Sequence, residues 1–248
     1  MKAPIANNRP MRNCCHGLMV GLSACLLAQT GFAQSGVKVV FVSPQQLDVA
    51  SLLPNPPAND SAQTTAELAE LHRIQDTRSP AKIAHAEADD AEQDIFIFQE
   101  VLGKAFSPDL LPLTAMLSGH VRGNEGVMVN PAKKYFHRPR PYDFDPTLKP
   151  VCKTTPNPAD YSFPSGHAAV GYLQAMVLAM MLPEKRDAIL ARADDYAYSR
   201  LICGVHYPTD LVASKSVAYA MIGIIANDPV FRKEFEAAKA ETRRALDF

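Results

Sequence analysis

Prolines divide this chain at points where helices begin, and this pattern constrains the fold more than any other feature of the sequence. The chain holds 20 prolines against 12 glycines. A proline is well tolerated at the first position of a helix, because the N–H that it lacks would have no partner there. Ser79-Pro80 and Ser107-Pro108 each place a capping serine before such a proline. Between the prolines, apolar residues recur at helical spacing, which favours an all-α fold.

Helical periodicity covers most of the chain after residue 60. The predicted helices span residues 61–76, 80–102, 110–117, 166–182, 183–202, 208–226 and 228–246. Residues 37–42 form the one β-like run, and the proline-rich segment 34–60 is expected to be an extended arm. We therefore expect residues 61–248 to form a single-domain helical bundle.

The first 33 residues are predicted to be a secretion signal. Three basic residues come first: Lys2, Arg9 and Arg12. An apolar stretch, residues 17–28, follows and is short for a bilayer span. Small residues before position 34 fit cleavage after Ala33, whereas a lipoprotein box ending at Cys25 is the alternative. Both interpretations place the protein outside the cytoplasm, in the periplasm or the medium.

Charge and cysteine content agree with a small extracellular domain. Residues 1–33 contain three of the 25 basic residues and none of the 26 acidic ones, which leaves a net charge of about −4 on the rest of the chain. This balance does not indicate nucleic acid as a partner. Beyond the signal, the cysteines are Cys152 and Cys203. They form a disulfide in an oxidising compartment if their Cα atoms lie close enough, and two buried thiols are the alternative.

A basic segment and a helix start stand out from the helical pattern. The basic segment runs from Lys133 to Pro141; by itself it is also typical of a solvated helix end. Ser165 and Gly166 precede the most apolar predicted helix, where free backbone N–H groups and the helix dipole favour a bound oxyanion. An ordinary serine cap is the alternative there.

A third segment, residues 199–210, combines an arginine, a histidine and an aspartate. Asp210 lies four residues after His206, at a helix start marked by Pro208. A carboxylate on Nδ1–H of a histidine fixes the tautomer and leaves the Nε2 lone pair free to act as a nucleophile or base. Together with Arg200, this pattern favours catalysis over a purely structural histidine.

The three segments together resemble the signature of the type 2 phosphatidic acid phosphatase (PAP2) and vanadium haloperoxidase superfamily. The matching residues are Lys133-x6-Arg140-Pro141, Pro164-Ser165-Gly166-His167 and Ser199-Arg200-x5-His206-x3-Asp210. The chain length, the signal and the Cys-Gly-x-His sequence before Tyr207 are most similar to class A bacterial non-specific acid phosphatases. The resemblance implies an all-α fold with its active site at helix ends.

The resemblance also implies a role for each matching residue. His206 would attack phosphorus to give a phosphohistidine, Asp210 would orient it, and His167 would protonate the leaving group and then activate water. The phosphate oxygens would be bound by five residues: Lys133, Arg140, Ser165, Gly166 and Arg200. The remaining histidines, His72, His85, His120 and His137, match no motif and are expected to be surface or packing residues.

No metal ion or other cofactor is expected, because three cationic side chains can neutralise the charge that a metal pair would otherwise offset. The expected partners are small phosphate monoesters and further copies of the chain in a homo-oligomer. Nucleic acid and stable membrane insertion are not expected.

The alternatives belong to the same superfamily. A lipid phosphatase needs membrane-spanning helices, but residues 168–182 are too few and residues 211–226 include Lys215. A phosphotransferase would pass the phosphoryl group to an alcohol instead of water. A vanadium haloperoxidase would hold vanadate with the same residues.

Overall fold

The computed structural model describes residues 39–155, 157 and 159–248. In this part of the chain the regular structure consists of eleven α-helices and two 3-10 turns, without a strand, so the predicted all-α fold is confirmed. The helices are α1 (Val49–Leu52), α2 (Ala62–Thr77), α3 (Pro80–Ala91), α4 (Gln99–Leu102), α5 (Pro112–Gly123), α6 (Glu125–Phe136), α7 (Pro141–Phe144), α8 (Gly166–Met181), α9 (Arg186–Ile202), α10 (Pro208–Ile225) and α11 (Pro229–Ala245). The 3-10 turns are Ile95–Phe98 and Pro183–Lys185.

Helix α8 forms the centre of the bundle. It is apolar on all sides, which is the pattern of a helix that is enclosed by others, and most of its residues are buried. Helices α9 and α10 pack against it, while α3 packs on α9 and α11 on α5. Because its first turn lies at one end of the bundle, the residues around Ser165 face the place where the other predicted site segments converge.

None of the described helices is by itself both long enough and apolar enough to cross a membrane. Helices α10 and α11 meet the length and composition criteria only when taken together, and the chain bends by 99° between them.

The described part of the predicted arm, residues 39–60, is packed on the bundle. Phe41, Val42 and Leu53 are buried in the main core, and the arm includes the short helix α1, which the sequence did not predict. The β-like residues 39–42 form no strand. Instead, the N–H groups of Phe41 and Val42 donate to Oδ1 of Asn124 at 2.7 and 3.2 Å. The predicted signal, residues 1–33, lies outside the described residues.

The prediction of one helix over residues 80–102 is wrong. Helix α3 ends at Ala91, and the chain then passes through Asp94, whose Oδ1 accepts from the N–H of Phe96 and starts a 3-10 turn. Ile95 and Phe98 are fully buried, so the apolar spacing continues across a break in the backbone. This break brings Asp90 and Gln93 to the site described below.

The helix predicted over residues 110–117 begins later than expected and runs further. Ser107-Pro108 starts a turn instead, and α5 spans Pro112–Gly123. Its first N–H groups are capped by Glu241 of α11, which accepts from Leu113 N at 3.1 Å and Thr114 N at 2.8 Å. A capping group 127 residues away along the chain leaves no local signal in the sequence.

Candidate active site

A cavity of about 680 Å³ opens at the N-terminal end of α8. Six of the eight predicted catalytic and phosphate-binding residues line it: Lys133, Arg140, Gly166, His167, Arg200 and His206. The other two, Ser165 and Asp210, are fully buried, and each is hydrogen-bonded to residues around the cavity. The fold therefore brings all three sequence segments together.

His206 is held from both sides of its ring. Its Nδ1 lies 3.0 Å from Oδ2 of Asp210, and its Nε2 lies 2.7 Å from Nη1 of Arg140. Because a guanidinium can only donate, Nε2 must be the acceptor and Nδ1 must carry the proton. The structure thus fixes the tautomer that leaves a lone pair on Nε2.

Local backbone geometry places His206 at the mouth of α10. Gly204 has φ of +75°, a conformation that favours glycine, and Pro208 begins the helix three residues after Val205. The Asp210 Oδ2 atom also accepts from the N–H of Tyr207 at 3.0 Å. Asp210 therefore caps the helix and orients the imidazole with the same oxygen atom.

The N-terminus of α8 forms the floor of the cavity. The Oγ of Ser165 accepts from Ala168 N at 3.3 Å, and the carbonyl of Ser165 accepts from Oγ of Ser214 on α10 at 2.8 Å. A Cβ atom on Gly166 would lie 2.2 Å from Oε1 of Glu125, so this position has no room for a side chain. The free N–H groups of this first turn form a site suited to an oxyanion.

His167 has hydrogen-bond partners in both of its protonation states. Its Nε2 lies 3.2 Å from the carbonyl oxygen of Asp90 and 2.8 Å from Nε2 of Gln93. A protonated Nε2 donates to the carbonyl, and an unprotonated Nε2 accepts from the amide. Such a ring can give up and regain a proton without losing its position.

Burial and neighbouring cations depress the pKa of three basic groups in the cavity. Burial and the charge of Arg200 lower the pKa of His167 to about 4. Burial and Arg140 hold the pKa of His206 well below 6.5, and the same two causes lower the pKa of Lys133 to about 7. His206 therefore stays neutral in mildly acidic solution.

Carboxylates occupy the cations that the sequence assigned to phosphate. Nη1 of Arg200 donates to Oδ1 of Asp90 at 2.6 Å, and Nη2 of Arg140 donates to Oδ1 of Asp160 at 2.8 Å. Lys133 donates to the carbonyl oxygen of Tyr161 at 2.6 Å. The Nε of Arg200 is buried without a partner among the described residues, so it remains available for an anion.

A disulfide joins Cys152 to Cys203, with their Cα atoms 5.0 Å apart. It connects the segment before the cavity rim at Lys153 to the segment that leads into His206. The backbone N–H of Val151 also donates to the carbonyl of Cys203 at 3.1 Å. The two cysteines thus hold one wall of the cavity against the other.

The histidines outside the motifs pair with carboxylates away from the cavity. His72 contacts Asp145, His85 contacts Asp195, and His120 contacts Glu234, at 2.8 to 2.9 Å. His85, Asp89 and Asp195 lie close enough to share a metal ion, but Arg192 donates to both aspartates and supplies the positive charge there.

Sequence reasoning missed several residues of the site. Asp90, Gln93 and Asp160 contact the predicted residues directly, and Glu67 and Arg138 lie behind Asp210. Arg138 lies inside the Lys133-x6-Arg140 segment, so its basic character was visible. The others are separated in sequence by 20 to 142 residues from the groups that they contact, and no periodic pattern marks them.

Known proteins resemble this chain in sequence over most of its length. The family model of the PAP2 superfamily matches residues 112–234, a range that contains all three site segments. A non-specific acid phosphatase of Salmonella typhimurium is 31% identical over 208 residues, which are 81% of this chain and 83% of the relative. A non-specific acid phosphatase of Providencia stuartii is 29% identical over 204 residues, 79% and 82% of the two chains.

A solved structure also matches the fold. The transmembrane PAP2 type phosphatidylglycerolphosphate phosphatase of Bacillus subtilis superposes with a TM-score of 0.49 at 17% identity, over 73% of this chain and 90% of the other. The family assignment depends on the sequence relatives and the PAP2 match. By these criteria the chain belongs to the PAP2 superfamily, in its group of class A-like non-specific acid phosphatases.

Proposed function

We propose that this protein is an acid phosphatase that hydrolyses small phosphate monoesters outside the cytoplasm, through a phosphohistidine formed on His206. The observation that carries the proposal is the pair of contacts on the His206 ring. Asp210 holds Nδ1 and a guanidinium holds Nε2, so an unprotonated nitrogen lies among the cations of an anion-binding cavity. That arrangement is suited to attack on a phosphoryl group.

The first chemical step transfers the phosphoryl group to the enzyme. The lone pair of His206 Nε2 forms a bond to phosphorus while the bond from phosphorus to the leaving oxygen breaks. That oxygen takes the proton of His167. Arg140, Arg200 and the Gly166 N–H would bind the equatorial oxygens, where charge must be stabilised in the transition state.

The second step releases phosphate. His167, now neutral, takes a proton from a water molecule as its oxygen attacks phosphorus. The bond from phosphorus to Nε2 breaks, and its electron pair returns to the nitrogen. Asp210 lies on the opposite ring nitrogen and offsets the positive charge that the imidazole carries in the intermediate.

Secretion is supported by two independent features. The predicted signal ends at Ala33 or, in the alternative, at a lipidated Cys25, and the Cys152–Cys203 disulfide is typical of an oxidising compartment. The curated relatives are bacterial enzymes. The proposed location is therefore the periplasm or the medium; assembly into a homo-oligomer stays a prediction.

Chelation and vanadate test the metal-independent mechanism. We expect activity on p-nitrophenyl phosphate to survive EDTA, because side chains alone bind the phosphoryl group. Orthovanadate should inhibit, because it adopts the five-coordinate geometry of the transition state. Loss of activity on chelation, restored by a divalent ion, contradicts the mechanism. Oxidation of bromide by the vanadate-loaded protein would favour the haloperoxidase alternative.

The pH dependence follows from the two histidines. Reaction needs His206 neutral and His167 protonated, yet the pKa of His167 in the free enzyme is about 4. For glycerol phosphate we therefore expect kcat/KM to fall as pH rises above that value. Bound dianionic phosphate favours the imidazolium and raises the pKa of His167, so the alkaline limb of kcat should lie at a higher pH than that of kcat/KM.

p-Nitrophenyl phosphate is the matched control for these pH profiles. Its phosphate group titrates in the same way, but nitrophenolate leaves without needing a proton, so its alkaline limb should be weaker. Rates measured from pH 3 to 9 on both substrates check this expectation. An optimum above pH 7 on glycerol phosphate, or identical limbs for the two substrates, would contradict the role given to His167.

A further inference from the structure

We propose that the buried ion pair of Glu67 and Arg138 is a positioning device for the nucleophile: it holds Asp210 in place and keeps it ionised. The inference depends on the proposed function, in which His206 attacks phosphorus. Neither residue lines the cavity, so both would act through Asp210 and not on the substrate.

The contacts form an unbroken chain from α2 to the nucleophile. Oε2 of Glu67 accepts from Nη2 of Arg138 at 2.7 Å. Nη1 of Arg138 then donates to Oδ1 of Asp210 at 2.8 Å, and Oδ2 of Asp210 lies on the imidazole of His206. The signs of the charges alternate along this chain, so a positive charge that develops on His206 continues the alternation.

Arg138 is fixed by more than its two carboxylates. Its guanidinium carbon lies 3.8 Å from the centre of the Tyr207 ring, and its Nη1 also donates to Oγ1 of Thr209 at 2.7 Å. Oε1 of Glu67 accepts from the N–H of Thr209 at 2.8 Å, which caps the start of α10. The pair therefore locates the backbone of the helix turn that carries Asp210.

Burial gives the pair its electrostatic importance. The side chains of Glu67, Arg138 and Asp210 are at most 2% exposed, and a carboxylate without a cation in such a place takes up a proton. Burial does raise the pKa of Asp210, and the charge of Arg138 is the largest influence that lowers it again. Arg138 is also the only described side chain besides His206 with a hydrogen bond to this carboxylate.

Other charged groups also face His206 and Asp210, and the test must leave them unchanged. They are Lys133 on α6, Arg140 at the start of α7, Asp160 in the following loop, His167 on α8 and Arg200 on α9. None of them is altered by substitutions at positions 67 and 138.

Removing the pair together separates positioning from folding. Arg138→Met alone leaves two buried carboxylates without a cation and should lower Tm by about 10 °C. The double variant Glu67→Gln/Arg138→Met removes one positive and one negative charge and should recover most of that loss. Thr114→Val, which removes a buried hydroxyl between α5 and α11, is the control for destabilisation remote from the cavity.

Rapid-quench measurement of phosphoenzyme formation from p-nitrophenyl phosphate is the main readout. In the stable double variant we expect the rate to remain about 10- to 100-fold below that of the native protein. The inhibition constant of inorganic phosphate should stay within about twofold, because the cations that bind phosphate are unchanged. Thr114→Val should keep the native rate.

The acid limb of the phosphorylation rate gives a second readout with a defined sign. Without Arg138 the pair of His206 and Asp210 binds a proton more readily, whichever atom holds it, so the limb should move to higher pH in the double variant. Glu67→Gln alone leaves the full charge of Arg138 facing Asp210 and should move the limb to lower pH. A merely structural role predicts neither shift.

The possible outcomes are distinct. A double variant with the native rate and the native pH profile overturns the inference and leaves Glu67 and Arg138 as structural residues. A native protein that forms no phosphoenzyme overturns the proposed function itself. If Arg138→Met does not fold, Glu67→Gln and the double variant still decide the question.

Discussion

The His206→Ala variant is expected to form no phosphoenzyme and to lose about 10⁴-fold or more of its activity on every phosphate monoester. The substitution removes the nitrogen that Asp210 and Arg140 prepare for attack. No other unprotonated nucleophile among the described residues occupies that position between the cations. Phosphate should still bind, because the cations of the cavity remain.

His167→Asn should behave differently, because it removes only the group that moves protons. Nitrophenolate is a good leaving group, so this variant should still be phosphorylated by p-nitrophenyl phosphate. Glycerol phosphate needs its leaving alkoxide protonated and should fail. The phosphoenzyme should then persist, since nothing activates water in the second step.

Rapid-quench labelling of both variants distinguishes these roles. His120→Asn is the matched control, because His120 pairs with Glu234 away from the cavity and its loss should leave labelling unchanged. A phosphohistidine trapped in the His206 variant shows that the nucleophile is misassigned. Equal losses on both substrates in the His167 variant show that the general acid is misassigned.

Removal of the disulfide should have the largest effect on stability. The cysteines are separated by 51 residues, and closing a loop of this length restricts the unfolded chain by about 4 kcal/mol in the chain-entropy account. We expect Cys152→Ala/Cys203→Ala to unfold at a correspondingly lower denaturant concentration. Activity at 25 °C should be largely retained, because Arg78 still joins the two segments by donating to the carbonyls of Ile202 and Lys149.

Reduction of the native protein provides the control for that experiment. Dithiothreitol should bring the native protein to the stability of the double variant and should not affect the variant itself. An unchanged midpoint of unfolding after reduction would show that the cross-link does not limit the unfolded state.

The sequence predicted the helices wherever apolar periodicity and a local start signal coincided. Residues 208–226 are an example: Pro208 opens the helix and the observed element is Pro208–Ile225. The prediction failed where the apolar spacing continued across a backbone break, as at Ile95 and Phe98. It also missed α6 (Glu125–Phe136), whose interior contains Pro131, a residue that normally argues against a helix.

The catalytic segments were predictable for a different reason: each is short, and its residues interact over local spacing. His206 and Asp210 are four residues apart and meet in the structure. The anionic partners were not predictable, because Asp90 meets Arg200 across 110 residues of sequence. Such contacts depend on the packing of α3 on α9, which no local pattern encodes.

The carboxylates around the cavity make substrate binding a competition between anions. Phosphate does not enter a set of idle cations, since it must displace Asp90 from Arg200 and Asp160 from Arg140. The free energy of binding is thus the difference between two sets of ion pairs, which weakens retention of the product. When phosphate departs, the same carboxylates return to the guanidinium groups, so rapid release is built into the resting site.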